Sequence, residues 1–357
     1  MRFQATEENV KVSGRTLFVD GTRYLGYSGS SVTFTFVGKK AVAEILSDAD
    51  AWGEELKGRI AVYVNDGEEP IKRICLDKQE SVYTLYESEK EEQVTIKVMK
   101  YSEAPFGLCG IRYLEIDADR LCTPPAIKQR RMEIIGDSIT CGYGVEAESE
   151  AIPFHTGTEN PTKSYSLLVA KALDADANLV SWSGNGIISH YVEEDATEPR
   201  VEDGLMPKVY QYTDMSCSKR LYGERESSWE KWDFNRFVPQ LILINLGTND
   251  CSWCKDIQER KDCFRQEYIR FLSDVRKKNP VSVILCVLGT MDQRLVGEVQ
   301  EAVHIFQERE KDSAIYFLAL PEQNPEDGYG ADWHPCEYTQ KCTAELVVRE
   351  IRKIMNW

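Results

Sequence analysis

The chain lacks features that would mark it as a nucleic-acid-binding or membrane protein. It has 43 Lys+Arg against 59 Asp+Glu, a formal net charge of −16, and its basic runs are short, such as KVMK and RKK. Because such a chain repels a polyanion, we predict no nucleic-acid partner. No uncharged apolar run is long enough to span a bilayer, and the N-terminal stretch has no apolar core of signal-peptide length. We therefore predict no membrane partner and a cytoplasmic location.

The cysteines do not have the pattern of a disulfide framework. There are eleven, an odd number, and several lie in apolar runs such as VILCVLG. This usage is typical of free thiols in a reducing compartment. The one Cys-x-x-Cys pair, Cys251 and Cys254, has no second ligand pair at the spacing of a zinc site, so a zinc or redox role is only an alternative and we predict no metal.

The first 124 residues have the two-residue period of β-strands. Runs such as SVTFTFVG, SVYTLYE and QVTIKVMKYS alternate apolar and polar residues and are separated by turn signals, among them Asn-Asp-Gly. Many short alternating strands favour a β-sandwich of jelly-roll type. We predict that residues 1–124 form such an accessory domain.

After Pro124 and Pro125 the pattern changes. Five strongly apolar runs, from RMEIIG to AIYFLAL, alternate with amphipathic segments of helical period. Strands this apolar are buried on both faces, which predicts a doubly wound, flavodoxin-like parallel sheet over residues 125–357. In such a fold, function lies beyond the carboxyl ends of the strands.

Polar residues follow four of the predicted strands. They are GDS at 136–138, SGNG at 183–186, GTND at 247–250 and DWH at 332–334. A hydroxyl, a glycine turn, an amide side chain and an imidazole therefore converge on one edge of the sheet. These are the groups that acyl transfer requires.

A serine nucleophile needs a base, and the chain has only four histidines. His334 is the best placed, because it comes just after the last predicted strand and before a helix. His304 lies within a predicted helix. His155 and His190 lie in predicted loops, where either could line a cleft.

The four blocks GDSIT, SGNG, GTND and DWHP occur in the order found in the SGNH, or GDSL, hydrolases, which this chain resembles. No Gly-x-Ser-x-Gly elbow is present, which argues against the other large α/β esterase fold. With a jelly roll ahead of the SGNH domain and DWHP as its last block, the chain resembles carbohydrate esterase family 2, whose members remove acetyl groups from xylan, mannan and related sugars.

The resemblance implies a role for each matching residue. Ser138 is the nucleophile and His334 the general base. The N–H groups of Ser138 and Gly186 and the side chain of Asn249 form the oxyanion hole. Gly186 is preferred to Gly184 because the donating glycine of the family lies a few residues beyond its strand.

The acid of the triad departs from the broad SGNH pattern, which has Asp three residues before the histidine. Ala331 occupies that position, and Asp332 is only two residues away. On an extended segment alternate side chains share a face, so the Asp332 carboxylate could orient His334. The alternative is a backbone carbonyl in that role, which would leave a Ser-His dyad.

Four aromatic residues adjoin the blocks and are candidate sugar-binding surfaces. They are Tyr143, Trp182, Trp253 and Trp333, with core packing as the alternative for each.

We therefore predict a serine esterase without a cofactor that deacetylates plant oligosaccharides derived from acetylated xylan or mannan. The alternatives are a lipase or thioesterase of the same fold, and a carbohydrate-binding protein with a silent hydrolase domain.

Overall fold

The computed structural model describes residues 1–193 and 200–357, and their contacts divide into two compact units. The first unit comprises Met1–Lys128, His155–Glu159 and Thr213–Glu230, and the second comprises the remaining ranges from Gln129 to Trp357. The sequence pattern predicted a simple division into 1–124 and 125–357. The two short ranges of the first unit lie in connections that precede the second and third strands of the second unit.

The first unit is built on one nine-stranded antiparallel sheet, in the order β3-β4-β9-β5-β8-β6-β7, with β1 paired to β9 and β2 to β5. Register shifts at Gly38–Lys40 and Ala41–Val42 bend the long strand β5, so the sheet curls around a core that includes Phe34, Ile96 and Leu114. The all-β, antiparallel fold class of this unit is as predicted, and its strands belong to one curled sheet. The strands are β1 (Arg2–Phe3), β2 (Lys11–Ser13), β3 (Thr16–Val19), β4 (Thr22–Leu25), β5 (Ser31–Leu46), β6 (Arg59–Val64), β7 (Lys72–Cys75), β8 (Glu80–Lys100) and β9 (Gly110–Ile116).

The second unit contains a five-stranded parallel sheet in the order β11-β10-β12-β13-β14. Leu243 of β12 faces a core that includes Val169 and Val347 from two helices, while the neighbouring Ile244, also fully buried, points to the opposite face. Burial of both faces confirms the predicted doubly wound sheet. The strands are β10 (Arg130–Gly136), β11 (Ala175–Ser181), β12 (Leu241–Asn245), β13 (Val283–Leu288) and β14 (Ile315–Ala319).

The α-helices of the described residues belong to the second unit, except α4, which belongs to the first. They are α1 (Ser138–Cys141), α2 (Tyr165–Ala172), α3 (Met206–Val209), α4 (Met215–Tyr222), α5 (Thr248–Cys254), α6 (Gln258–Lys278), α7 (Val296–Glu310) and α8 (Glu337–Met355). Short 3₁₀ helices span Ala49–Ala51, Glu54–Leu56, Pro161–Lys163, Glu226–Ser228, Pro325–Asp327 and Ala331–Trp333. Within the described ranges, no helix has both the length and the apolar character that a bilayer crossing requires.

Candidate active site

Ser138 lies where β10 ends and α1 begins. The Asp137 side chain caps the helix by accepting a hydrogen bond from the Ile139 N–H at 3.1 Å. Because it comes just after the last residue of β10, the serine lies at the carboxyl edge of the sheet, and it is only 5% exposed to solvent. This is the position that the GDS sequence predicted.

His334 reaches the serine from a short turn at Ala331–Trp333. The turn packs closely on Gly144, whose carbonyl accepts the Ala331 N–H at 3.1 Å. Gly144 has a φ of +58°, and a Cβ there would lie 2.4 Å from the Cβ of Ala331, so only glycine permits this approach. The His334 Nε2 atom lies 2.8 Å from Ser138 Oγ. The structure thus brings together the predicted nucleophile and base.

The orientation of His334 corrects one expectation from the sequence. The segment before it is not extended, because Asp332 and Trp333 both have left-handed φ angles of 49° and 63°. His334 Nδ1 therefore lies 3.1 Å from the Ala331 carbonyl oxygen and 3.2 Å from that of Asp332. The Asp332 carboxylate instead accepts a hydrogen bond from the Tyr143 hydroxyl at 2.8 Å. This geometry agrees with the alternative of a dyad oriented by backbone carbonyls.

The environment of His334 keeps its imidazole neutral. Burial lowers the pKa of His334 to about 4, against smaller raising effects from the carbonyls of Ala331 and Asp332 and from the Asp332 charge. With Nδ1–H donating to the carbonyl oxygens, Nε2 carries a lone pair toward the serine hydroxyl. A neutral imidazole in this tautomer can accept the Ser138 proton at neutral pH.

Asn249, in the first turn of α5, connects the other two blocks. Its Nδ2 atom lies 2.9 Å from the Asn185 carbonyl oxygen and 3.3 Å from Asp137 Oδ2. The amide side chain therefore lies between Asp137, which precedes Ser138, and Asn185, which precedes Gly186. Both hydrogens of the amide are directed at these two acceptors, and the role of Asn249 as an oxyanion donor stays a prediction.

The loop that follows Gly186 is held by Asp250, a residue to which the sequence assigned no role. Its carboxylate accepts hydrogen bonds from the backbone N–H groups of Ile187, Ile188 and Ser189 at 2.7 to 3.1 Å. Burial raises the pKa of Asp250 to about 6, while those three donors act to lower it. The only sequence signal was its place directly after Asn249 in GTND.

Gly186 and Gly184 differ in their surroundings. A Cβ on Gly186 would lie 2.2 Å from the Ser189 carbonyl oxygen, whereas one on Gly184 would meet no atom within 4 Å. Gly186 is therefore the glycine enclosed by the loop, and its assignment as an oxyanion donor stays a prediction.

The four predicted sugar-binding aromatics have different environments. Trp333 is 58% exposed, and its ring meets Tyr329 edge-on at 5.2 Å. Trp182 is half-buried, and Trp253 packs against the guanidinium groups of Arg260 and Arg200, which lie 4.7 and 5.7 Å from its centroid. Tyr143 stacks with other rings of the site. Of the four, Trp333 presents the largest exposed surface.

Other residues singled out by the sequence lie elsewhere. His304 pairs with Glu308 on the exposed face of α7. His190 Nε2 contacts the Asp203 carbonyl oxygen at 2.6 Å, and His155 belongs to the first unit. Cys251 and Cys254 are both buried in α5.

Burial raises the pKa of the Cys254 thiol to about 12 and also raises that of Cys251, which disfavours the thiolates that zinc binds. Neither thiol belongs to a cluster of three metal-ligating groups among the described residues.

Two family models match the chain. Residues 12–125 match the model described as carbohydrate esterase 2 N-terminal, and residues 132–347 match the GDSL-like lipase/acylhydrolase model. The second match contains the Ser138, Asn249 and His334 blocks.

Curated relatives extend the similarity to nearly the whole chain. The cellulase/esterase CelE of Acetivibrio thermocellus is 31% identical over 339 residues, which are 93% of this chain and 38% of that protein. The chain thus spans well under half the length of that relative. An acetylxylan esterase / glucomannan deacetylase of Cellvibrio japonicus is 26% identical over 363 residues, covering 99% of this chain and 91% of the relative.

A solved structure has the same fold. A family two carbohydrate esterase from Clostridium thermocellum, in complex with cellohexaose, aligns with a TM-score of 0.83 and 29% identity. The alignment covers 98% of this chain and 99% of the other.

Proposed function

The chain belongs to the GDSL-like lipase/acylhydrolase family, and on that premise we propose that it is a serine carbohydrate esterase that removes O-acetyl groups from oligosaccharides. The observation that carries the proposal is the 2.8 Å contact between Ser138 Oγ and His334 Nε2 beside Asn249. The carbohydrate esterase 2 N-terminal match and the names of the relatives support the substrate class.

The proposed reaction proceeds through an acetyl-enzyme. Ser138 Oγ attacks the acetyl carbonyl carbon while His334 Nε2 takes the hydroxyl proton. The oxyanion is stabilised by the N–H groups of Ser138 and Gly186 and by the Asn249 amide. His334 then gives its proton to the departing sugar hydroxyl. A water molecule, deprotonated by the same imidazole, hydrolyses the acetyl-serine and releases acetate.

We propose a dyad rather than a triad. The positive charge that forms on His334 is stabilised by the two carbonyl oxygens near Nδ1, those of Ala331 and Asp332. The Asp332 carboxylate acts on this charge only through space. Oδ2 of this carboxylate accepts a hydrogen bond from the Tyr143 hydroxyl. The hydrogen-bond partners of His334 Nδ1 are the two carbonyl oxygens.

The proposed substrates are acetylated oligosaccharides derived from xylan or mannan. A cellulase/esterase and an acetylxylan esterase / glucomannan deacetylase are the relatives whose names support this choice. The exposed ring of Trp333, next to the base, could pack on a pyranose face. A cytoplasmic location remains part of the proposal and is supported by eleven free cysteines.

The test is acetate release from acetylated xylo- and manno-oligosaccharides, with 4-nitrophenyl esters of long-chain acids as the comparison and Ser138→Ala as the control. We expect Ser138-dependent release from the oligosaccharides and little activity on the long-chain esters. Preference for the long-chain esters would support a lipase or thioesterase. Binding of oligosaccharides without acetate release would support the silent hydrolase domain.

A further inference from the structure

We propose that Tyr143 is a positioning residue that holds the His334 imidazole against Ser138. The inference concerns the machinery of the proposed esterase, so its kinetic part rests on the proposed function. It assigns to Tyr143 a role other than sugar binding.

Two aromatic contacts hold the Tyr143 ring. The Phe154 ring lies 3.8 Å away, centroid to centroid, and is nearly parallel at 11°. The His334 ring lies 4.2 Å away at 33°. Because two rings this close cannot share one face, Phe154 covers one face of Tyr143 and His334 the other. The stack opposes rotation of the imidazole away from the serine.

The Tyr143 hydroxyl acts on the same histidine through the backbone. It donates to Asp332 Oδ2 at 2.8 Å, and Asp332 has the left-handed φ of 49°. L-residues rarely adopt that conformation, so it persists where the surroundings hold it. The Asp332 carbonyl is one of the two that face His334 Nδ1. The tether therefore fixes part of the turn that orients the imidazole.

Both constraints converge on one atom pair, His334 Nε2 and Ser138 Oγ. The ring stack sets the plane of the imidazole, and the tether sets the carbonyls that its Nδ1–H meets. With both ring faces covered, Tyr143 offers no face on which a sugar could stack. This accounts for an aromatic residue five positions after the nucleophile.

The kinetic experiment uses two substrates, 4-nitrophenyl acetate and an acetylated xylo-oligosaccharide. Tyr143→Leu removes both the ring and the tether. We expect its kcat to fall on both substrates by roughly ten- to a hundredfold, since small misplacements of a catalytic group have effects of this size, while KM changes less than about twofold. Tyr143→Phe keeps the stack and should recover most of the lost kcat.

Tyr316→Leu, at an exposed tyrosine on β14, is the matched control and should retain the kcat of the unmodified protein. A Tyr143→Leu variant with unchanged kcat would overturn the proposal. A rise in KM confined to the oligosaccharide would also overturn it, because that result identifies a sugar-binding surface.

A second measurement needs no turnover. Nitrogen and proton NMR of the His334 ring, assigned with His334→Gln, should show a single neutral tautomer with the proton on Nδ1 and ring protons shifted by the stacked Tyr143. We expect Tyr143→Leu to move these signals toward the average of the two tautomers. Unchanged nitrogen shifts would contradict the positioning role. An unmodified protein without esterase activity would instead contradict the proposed function, and the NMR result would still decide the role of Tyr143.

Discussion

Ser138 and His334 are held by different kinds of structure. The serine lies at a strand-to-helix junction, with its helix capped by Asp137 and its strand paired on both sides in the parallel sheet. The histidine lies on a short turn with two left-handed residues, Asp332 and Trp333, and is oriented by backbone carbonyls and by the Tyr143 ring.

The two halves of the site are therefore sensitive to different kinds of substitution. The position of Ser138 follows from regular secondary structure, so substitutions there should change chemistry more than geometry. The orientation of His334 depends on a few local contacts, so substitutions around the turn should change geometry first.

The largest expected effect is at the two reacting groups. Ser138→Ala and His334→Ala should each lower kcat at least about a thousandfold, because either change removes the activated nucleophile. The double variant should be no worse than the single ones, since the two residues act as a unit. Acetate release measures kcat, and an unchanged melting temperature in Ser138→Ala controls for folding. Additive losses in the double variant would contradict the dyad.

The next effect concerns the proposed oxyanion hole. Asn249→Ala should lower kcat by about a hundred- to a thousandfold, as removal of one such donor does. Asn235→Ala, at an exposed asparagine of the same unit, is the matched control and should be neutral. If Asn249→Ala changed kcat no more than that control, the amide would not contact the developing charge.

The pH dependence of kcat/KM tests the histidine half of the comparison. Because burial lowers the pKa of His334 to about 4, the acid limb of the profile should have its midpoint near that value. At pH 5.5 an imidazole with an ordinary pKa would be neutral in only about a tenth of the molecules. We therefore expect nearly full activity there, and a midpoint close to 6.5 would contradict the account.

The lowered pKa of His334 also makes the stability of the fold depend on pH. Between about pH 4 and pH 6.5, His334 is largely protonated in the unfolded chain and largely neutral in the folded chain. The free energy of unfolding therefore rises with pH across this range. Circular dichroism at each pH separates loss of folding from titration of the base.

The smallest expected effect is at Asp332, where the sequence departs from the broad SGNH pattern. Asp332→Asn keeps an oxygen that can accept the Tyr143 hydroxyl, so kcat should fall by no more than about threefold, against about four decades for a fully engaged triad acid. Asp332→Ala loses that acceptor and should be the weaker enzyme of the two. A loss beyond tenfold in Asp332→Asn would restore the carboxylate to a catalytic role.

The fold was largely predictable from the sequence. The alternating strand pattern of the first unit differs from the strongly apolar runs of the second unit, which predicted strands buried on both faces, as β12 is. Ser138, Asn249 and His334 were predictable for the same reason, because each follows a strand of one sheet. The two segments that group with the first unit could not be assigned from the sequence, because an amphipathic pattern such as that of α4 predicts a helix and not the core on which the helix packs.

The contacts around His334 were not predictable, because they depend on backbone angles that no local pattern specifies. The left-handed Asp332 turns its carboxylate to Tyr143, a residue 189 positions away in the chain. The bracing of the Gly186 loop by Asp250 likewise joins residues about 60 positions apart. Long-range polar contacts of this kind appear only in three dimensions.

In the proposed mechanism His334, oriented by backbone carbonyls, activates Ser138. The most direct measurement is the rate at which a fluorophosphonate probe labels Ser138, followed by peptide mass spectrometry. We expect labelling at Ser138 alone, which is lost in His334→Ala and retained in Asp332→Asn. Labelling that survives His334→Ala, or that disappears in Asp332→Asn while the protein stays folded, would contradict this mechanism.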